Sequence, residues 1–213
     1  LSSCFYCEAK LAKGNLFSFP EQEIIKEVRE AVKEGCTRIN ITATDCGCYG
    51  LDIKKNLPIL LKKIINIDGN FNIRIGMINP EYLLNYLDEL IKIYKSNKII
   101  KFLHIPVQSG SDKVLKEMNR KYSIKDFKKI VNKFRKEIPN IKISTDIIVG
   151  YPSETEKDFN ETIKLIKEIK PDVLNSSKFT PRPRTKAALL KQLPSEEIKR
   201  RSVILSKIYR DLR

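Results

Sequence analysis

Ile141-Lys-Ile-Ser-Thr-Asp-Ile-Ile-Val149 is the most apolar strand candidate in the chain. It is followed by the polar turn Gly150-Tyr-Pro-Ser-Glu154 and by an amphipathic stretch over residues 155–169. Strand, turn and helix in that order make one βα unit. Working outward, the same succession recurs. Upstream lie a short apolar strand at 102–107, with helices at 112–118 and 124–137. A further strand spans 72–77, and its helix at 80–94 puts Leu83, Leu84, Leu87, Leu90 and Ile91 on one face. Residues 38–44 alternate at period two as a strand should, and 52–67 reads as helical. Pro20 precedes a helix at 21–34, in which Ile24, Ile25, Val28 and Val32 recur at helical spacing before Gly35 stops it. Downstream, 173–179 is the last strand and 194–212 a closing helix rich in Lys and Arg. Strands and helices alternating at roughly 30–35 residues predict an α/β fold with parallel strands and right-handed crossovers. The polar loops at 44–49, 108–111, 150–154 and 180–186 all follow strands. In such folds ligands sit at the carboxyl ends of the strands, so these loops share one rim.

The rest of the composition sets bounds. The chain has 213 residues, enough for a sizeable core, and 41% of them are hydrophobic, which excludes a disordered polybasic tail. Apolar runs such as 59–61 and 147–149 fall far short of the ~20 residues of a membrane span, and no signal peptide opens the chain. It begins at Leu1, without Met, and is read as an excised piece of something longer. The 41 Lys+Arg against 26 Asp+Glu leave +15, which points to a polyanionic partner. Lys and Ile dominate the composition, and a source bias toward them offers a second explanation of the charge.

Five cysteines, Cys4, Cys7, Cys36, Cys46 and Cys48, form a poor disulfide framework. Cys36, next to the helix-stopping Gly35, reads as a small core residue. Cys4–Cys7 is a C-x-x-C pair and Cys46–Cys48 a C-x-C pair. Such pairs serve zinc, redox and iron–sulfur sites alike. Zinc needs two further ligands in a chain with one His. A redox pair would normally lead straight into a helix, and here the first clear helix begins only after Pro20.

Leu1-Ser-Ser-Cys-Phe-Tyr-Cys-Glu-Ala-Lys-Leu-Ala-Lys-Gly14 resembles the cluster loop of the radical S-adenosylmethionine (SAM) methylthiotransferases. That loop reads C-x-x-x-C-x-x-C, with an aromatic before the last Cys and a basic-Gly pair after it. Cys4, Tyr6, Cys7 and Lys13-Gly14 match its second Cys, aromatic, third Cys and basic-Gly pair. The first Cys would fall just before Leu1, and the strand that should precede it is also absent, which reads as truncation. The resemblance continues through Thr42-Ala-Thr-Asp45, His104-Ile-Pro-Val-Gln-Ser-Gly-Ser111 with Met118-Asn-Arg-Lys-Tyr122, Thr145-Asp-Ile-Ile-Val-Gly-Tyr-Pro-Ser-Glu-Thr155 and Phe179-Thr-Pro-Arg-Pro183. Where relatives continue with Gly-Thr-Pro, this chain has Arg184-Thr185-Lys186.

The resemblance implies a partial TIM-type barrel, an α/β horseshoe lacking its first strand. It implies a [4Fe-4S] cluster held by Cys4, Cys7 and a third thiolate, with SAM chelating the open iron and yielding a 5′-deoxyadenosyl radical. Tyr6 would lie by the adenine, and Thr44 and Asp45 by the methionine amino group. Gln108 and Ser109 would lie by the methionyl part or ribose, and Arg120 on the SAM carboxylate. Asp146, a charge on an apolar strand, needs a polar ligand or an Arg partner. Lys13, Arg182 and Arg184 are the substrate candidates. The chain looks most like the archaeal and eukaryotic branch, which acts on N6-threonylcarbamoyladenosine beside the anticodon of tRNA. A flanking N-terminal cluster domain and a C-terminal RNA-binding domain are implied, as are an electron donor, a sulfur source, a monomeric state and a cytoplasmic location.

Plainer readings stand beside these. His104, the sole His, reads as a structural hydrogen-bonding residue, and Asp112, Ser153 and Thr155 as helix caps. Arg120 also reads as a surface charge, and Cys46 and Cys48 have no assigned role. Lys191, Lys199, Arg200, Arg201, Lys207, Arg210 and Arg213 at the chain's end are expected to position phosphates. The rival functions are the same chemistry on isopentenyladenosine tRNA or on a ribosomal-protein aspartate, and a non-catalytic basic RNA-binding domain with structural zinc.

Overall fold

A computed structural model describes residues 3–213, so Leu1 and Ser2 of the thiol loop lie outside the described residues. The strands are β1 (Arg38–Ile41), β2 (Asn72–Ile75), β3 (Phe102–His104), β4 (Lys142–Val149) and β5 (Val173–Lys178), and every pairing is parallel. β1 pairs with β2, and β3, β4 and β5 pair in that order. Ile73 bridges to Ile99, and the Ile78 amide donates to the His104 carbonyl at 2.9 Å, which joins the two parts. The spatial order is therefore the sequence order, which is the winding of a barrel rather than of a doubly wound sheet. Among the described residues no strand lies beyond β1 or β5, so the barrel stays open. A cavity of about 740 Å³ opens beside β1, between α2 (Glu21–Lys33) and residues 15–19.

The connecting helices are α3 (Leu57–Ile65), α4 (Pro80–Leu83), α5 (Leu87–Tyr94), α6 (Asp112–Glu117), α7 (Ile124–Glu137) and α8 (Glu156–Ile169). A short α1 (Ala9–Lys13) follows the thiol loop, and α9 (Ser195–Asp211) closes the chain. Leu103, Ile143, Ile147 and Val149 point outward under Phe127, Ile130 and Phe134 of α7 and Phe159 and Ile166 of α8, all buried in one core. Each such side chain contributes about 1.5–3 kcal/mol by leaving water. The other parity of β3–β5 faces the barrel interior and carries His104, Ser144, Asp146, Asn175 and Ser177 beside Phe102, Ile148 and Val173.

Several boundaries differ from the sequence expectation for local reasons. The helix expected over 52–67 begins only at Leu57. Lys54 adopts a left-handed φ of 55°, and the Asn56 side chain caps the Ile59 amide ahead of Pro58. The helix expected over 80–94 is interrupted at Leu84–Tyr86, where Tyr86 leaves helical geometry and its hydroxyl donates to the Gly47 carbonyl at 2.7 Å. The first three strands end early because their last residues become rim loops. Cys36, expected in the core, is exposed. Thr155 does cap α8, in a reciprocal box with Asp158. Asp112 instead caps the following helix, accepting from the Ile124 amide at 2.7 Å. No helix among the described residues is long and apolar enough to cross a membrane.

Candidate functional site

The thiol loop lies across the carboxyl ends of the strands and is fixed by backbone contacts. The Phe5 amide donates to the Met118 carbonyl at 3.1 Å, and the Ala187 amide donates to the Phe5 carbonyl at 2.9 Å. Asn119 Nδ2 donates to the Ser3 carbonyl at 2.7 Å. The Cys7 amide donates to the Cys4 carbonyl at 3.2 Å, a tight turn that keeps both half-buried thiols on one short segment. Lys186 lies over the Phe5 ring, 4.4 Å from its centroid.

Arg120 reaches this loop from just beyond α6. It is 8% exposed, and Tyr6 and Tyr122 flank its guanidinium with ring centroids at 5.9 and 5.8 Å. It is therefore no surface charge. Its Nε is buried without a hydrogen bond among the described residues. Burial opposes the charge, and the acidic surroundings that include Asp45 outweigh it, so Arg120 stays cationic. A buried cation with an unsatisfied donor is costly unless an anion completes it. Tyr6 is held protonated by burial, with its phenol pushed well above the ordinary range.

Asp45 belongs to the same neighbourhood. It caps the turn Cys46–Cys48, accepting from the Gly47 amide at 2.8 Å and the Asn79 amide at 3.2 Å. Burial raises its carboxyl despite those bonds. Thr44 beside it accepts from Lys13 Nζ at 2.8 Å, which brings a substrate candidate onto a cofactor candidate. Gln108 is buried at a left-handed φ of 71°, and its amide donates to the Asp146 carbonyl at 2.8 Å. Ser109 is turned the other way. It is fully buried toward α8, with its hydroxyl near Thr162 and accepting from the Ser111 amide at 3.2 Å. The next residue, Gly110, runs against the α8 backbone, where a Cβ would come within 2.3 Å of Thr162 Cα.

Asp146 has neither an Arg partner nor a bare carboxylate. His104 Nε2 lies 2.9 and 3.0 Å from its two oxygens, and Asn175 Nδ2 donates to Oδ1 at 2.8 Å. Burial works against its charge, and these bonds outweigh it, leaving the carboxyl below its usual value. His104 is thus the structural hydrogen-bonding residue expected. Asn175 carries no signal in the sequence, because only the β4–β5 register brings it opposite Asp146. Tyr122, which ends the quoted motif without a role of its own, and Glu81, which has no sequence signal, also border Arg120.

Cys46 and Cys48 are turned inward as buried free thiols, their S–H groups directed to the carbonyls of Ile41 at 3.6 Å and Asp45 at 3.2 Å. Burial pushes both up to about 11, so they are poor ligands and poor nucleophiles. Among the described residues no three His, Cys, Asp or Glu converge to hold a metal, which leaves the structural-zinc alternative without a ligand set. Arg182 lies 4.0 Å from Glu8 and Arg184 is exposed at a left-handed φ of 62°, both on the rim. Arg200 and Arg201 do not fit their expected phosphate role. Arg200 pairs with Glu156 and Glu197, and Arg201, 4% exposed, is buried against Glu154.

An open parallel barrel with a two-cysteine loop and an unsatisfied arginine at its carboxyl mouth defines a cofactor-binding core of the partial-barrel class. The family model described as the Radical SAM superfamily matches residues 2–166, and the chain belongs to that superfamily. Membership implies a [4Fe-4S] cluster and SAM as its cofactors. The chain is 48% identical over 98% of its length to a probable threonylcarbamoyladenosine tRNA methylthiotransferase of Pyrococcus horikoshii, of which it covers 49%. A protein of Homo sapiens, a threonylcarbamoyladenosine tRNA methylthiotransferase, is 44% identical over 98% of the chain, which covers 36% of it. The chain spans about half the length of the archaeal relatives. Two solved structures share the fold alone. One is a radical SAM methyltransferase of Kitasatospora setae, with a TM-score of 0.68 and 15% identity, where 88% of this chain covers 36% of that one. The other is coproporphyrinogen III oxidase of Escherichia coli, with a TM-score of 0.62 and 17% identity, where 96% of this chain covers 50% of that one.

Proposed function

We propose that this chain is the radical SAM core of a tRNA methylthiotransferase that adds a methylthio group to N6-threonylcarbamoyladenosine beside the anticodon. The observation that carries the reading is the 48% identity along nearly the whole chain to a relative of that name, with the thiol loop and Arg120 in place to use it. The residues fit the implied cofactors as far as they extend. Two thiols share one turn, and the orphaned Arg120 Nε is matched by the carboxylate of SAM. When bound, the cluster and SAM supply one-electron chemistry at the sulfonium together with the methyl group.

The chain's own residues then have separable tasks. Cys4 and Cys7 ligate iron, and Tyr6 packs by the adenine. Arg120 neutralises and orients the SAM carboxylate as a fork-shaped donor. Asp45, with Thr44, accepts from the methionine amino group. Gln108 and Asp146 line the path to the ribose, and Ser109 supports that loop from behind. Lys13, Arg182 and Arg184 on the rim hold tRNA phosphates close to the mouth. An electron donor, a sulfur source, a monomeric state and work in the cytoplasm belong to the same reading.

Anaerobic reconstitution of the full-length protein tests it. The expected products are 5′-deoxyadenosine and a methylthiolated tRNA nucleoside identified by mass spectrometry. A fully loaded protein that leaves SAM intact defeats the reading. Methylthiolation of isopentenyladenosine or of a ribosomal-protein aspartate would replace the substrate and keep the chemistry.

A further inference from the structure

His104, Asp146 and Asn175 come from three neighbouring strands and meet on the inner wall of the half-barrel. In register, Asp146 is opposite Asn175, and His104 is opposite Ser144, two residues before Asp146 on the same face of β4. The hydrogen bonds fix the polarity of the array. Asp146 is a carboxylate and cannot donate, so His104 Nε2 carries the hydrogen that lies 2.9 Å from it. In the neutral ring Nδ1 is then left with its lone pair. Asn175 turns one amide N–H to Asp146 at 2.8 Å and is left with Oδ1 and its second N–H. Neither Nδ1 nor Asn175 Oδ1 takes a hydrogen bond among the described residues. The wall is not closed over, since the side chains of His104 and Asp146 are 23% and 27% exposed and Asn175 is exposed. By contrast, the opposite parity of β4, Ile143, Thr145, Ile147 and Val149, is fully buried.

The groups this wall presents are mainly acceptors, an imidazole nitrogen, an amide oxygen and a carboxylate, with the second Asn175 N–H beside them. A phosphate meets the Asp146 carboxylate there and is directed instead to the cationic rim at Lys13, Arg182 and Arg184. A neutral N–H edge finds complementary acceptors at fixed positions.

We propose that His104 and Asn175, braced by Asp146, form a subsite that reads the N6–H edge of an adenine nucleoside inside the barrel. This rests on the functional reading above, which brings two such nucleosides to the site. One is the adenosyl group of SAM and the other is the N6-substituted adenosine of the RNA. Asp146 acts as the positioning residue that fixes the imidazole tautomer, and His104 Nδ1 makes the contact.

The chain has a single histidine, so 15N-histidine labelling of these 213 residues gives one imidazole signal pair. The unliganded protein should show the Nε2–H tautomer. Saturation with S-adenosylhomocysteine, or separately with N6-threonylcarbamoyladenosine, should move the Nδ1 resonance upfield by several ppm as it accepts a hydrogen bond. The ligand that moves it identifies the source. His104→Phe and Asn175→Ala should each weaken that ligand about tenfold, the loss of one hydrogen bond. An Nδ1–H tautomer, or an Nδ1 signal unmoved by both ligands, overturns the proposal. If the full-length enzyme still makes 5′-deoxyadenosine in that case, the subsite falls and the functional reading stands.

Discussion

At the residue scale the molecule is most unusual at Arg120. A buried guanidinium with an unsatisfied Nε and two aromatic neighbours lowers stability until an anion arrives. Arg120→Gln should therefore leave the apoprotein melting no lower than the parent. The same change should weaken S-adenosylhomocysteine at least about tenfold by calorimetry, the order expected for a charge-assisted bond. A variant that melts lower and binds as before would reassign Arg120 to the core. The sequence singled Arg120 out only through the motif around it. Its burial depends on Tyr6 and Tyr122, one of them more than a hundred residues away along the chain. Asp146 shows the same limit. Its position on an apolar strand announced that it needs a partner, but which partner was decided by strand register.

At the element scale, α9 is locked to the loop after β4. Arg201 donates to the Glu154 carbonyl and to its Oε2, both at 2.8 Å, and the same Oε2 accepts from the Gly150 amide at 2.8 Å. Glu154 is 2% exposed, so the pair is buried at the rim that carries Gly150. Arg201→Ala leaves an uncompensated carboxylate there and should cost about 3–5 kcal/mol in denaturant unfolding. A loss under 1 kcal/mol would show that α9 is held by apolar packing alone. α8 is fixed at its start by Asp158, which accepts from Thr155, Ser111 and Lys113. Burial opposes its charge, and these bonds bring its pKa down to about 2. Since the folded value lies below the unfolded one of about 3.8, its stabilisation is complete above pH 4 and is lost as pH falls toward 2. Asp158→Asn should flatten the unfolding free energy across that window and lower it at neutral pH. An unchanged acid limb would remove Asp158 from that role. The capping box was readable in Thr155-Glu-Lys-Asp158. The Arg201 contact was not, since a basic helical end reads as a solvated face.

At the scale of the whole molecule, the +15 charge divides into two populations. Some cations are internal fasteners: Arg201 is buried, Arg200 is paired twice, and Arg135 donates to the Ile169 carbonyl at 2.6 Å to close α8. Others, such as Arg182, Arg184 and Lys13, stand on the rim. Only the second group can replace counterions on tRNA. Affinity of the full-length protein for tRNA should fall linearly in a plot of log K against log salt, with a slope set by the phosphates engaged. Charge reversal at Arg182 and Arg184 should flatten that slope by about one to two, whereas a flat slope in the parent would make the charge a property of the source. The sequence by itself determined the alternation of strands and helices, the parallel sheet, the common rim and the cysteine loop, because periodicity and turn chemistry act over a few residues. The tertiary structure alone decided which polar side chains meet. His104, Asp146 and Asn175 are each separated by about thirty to forty residues of chain, and their meeting depends on strand register, which is fixed by packing of the opposite, apolar face.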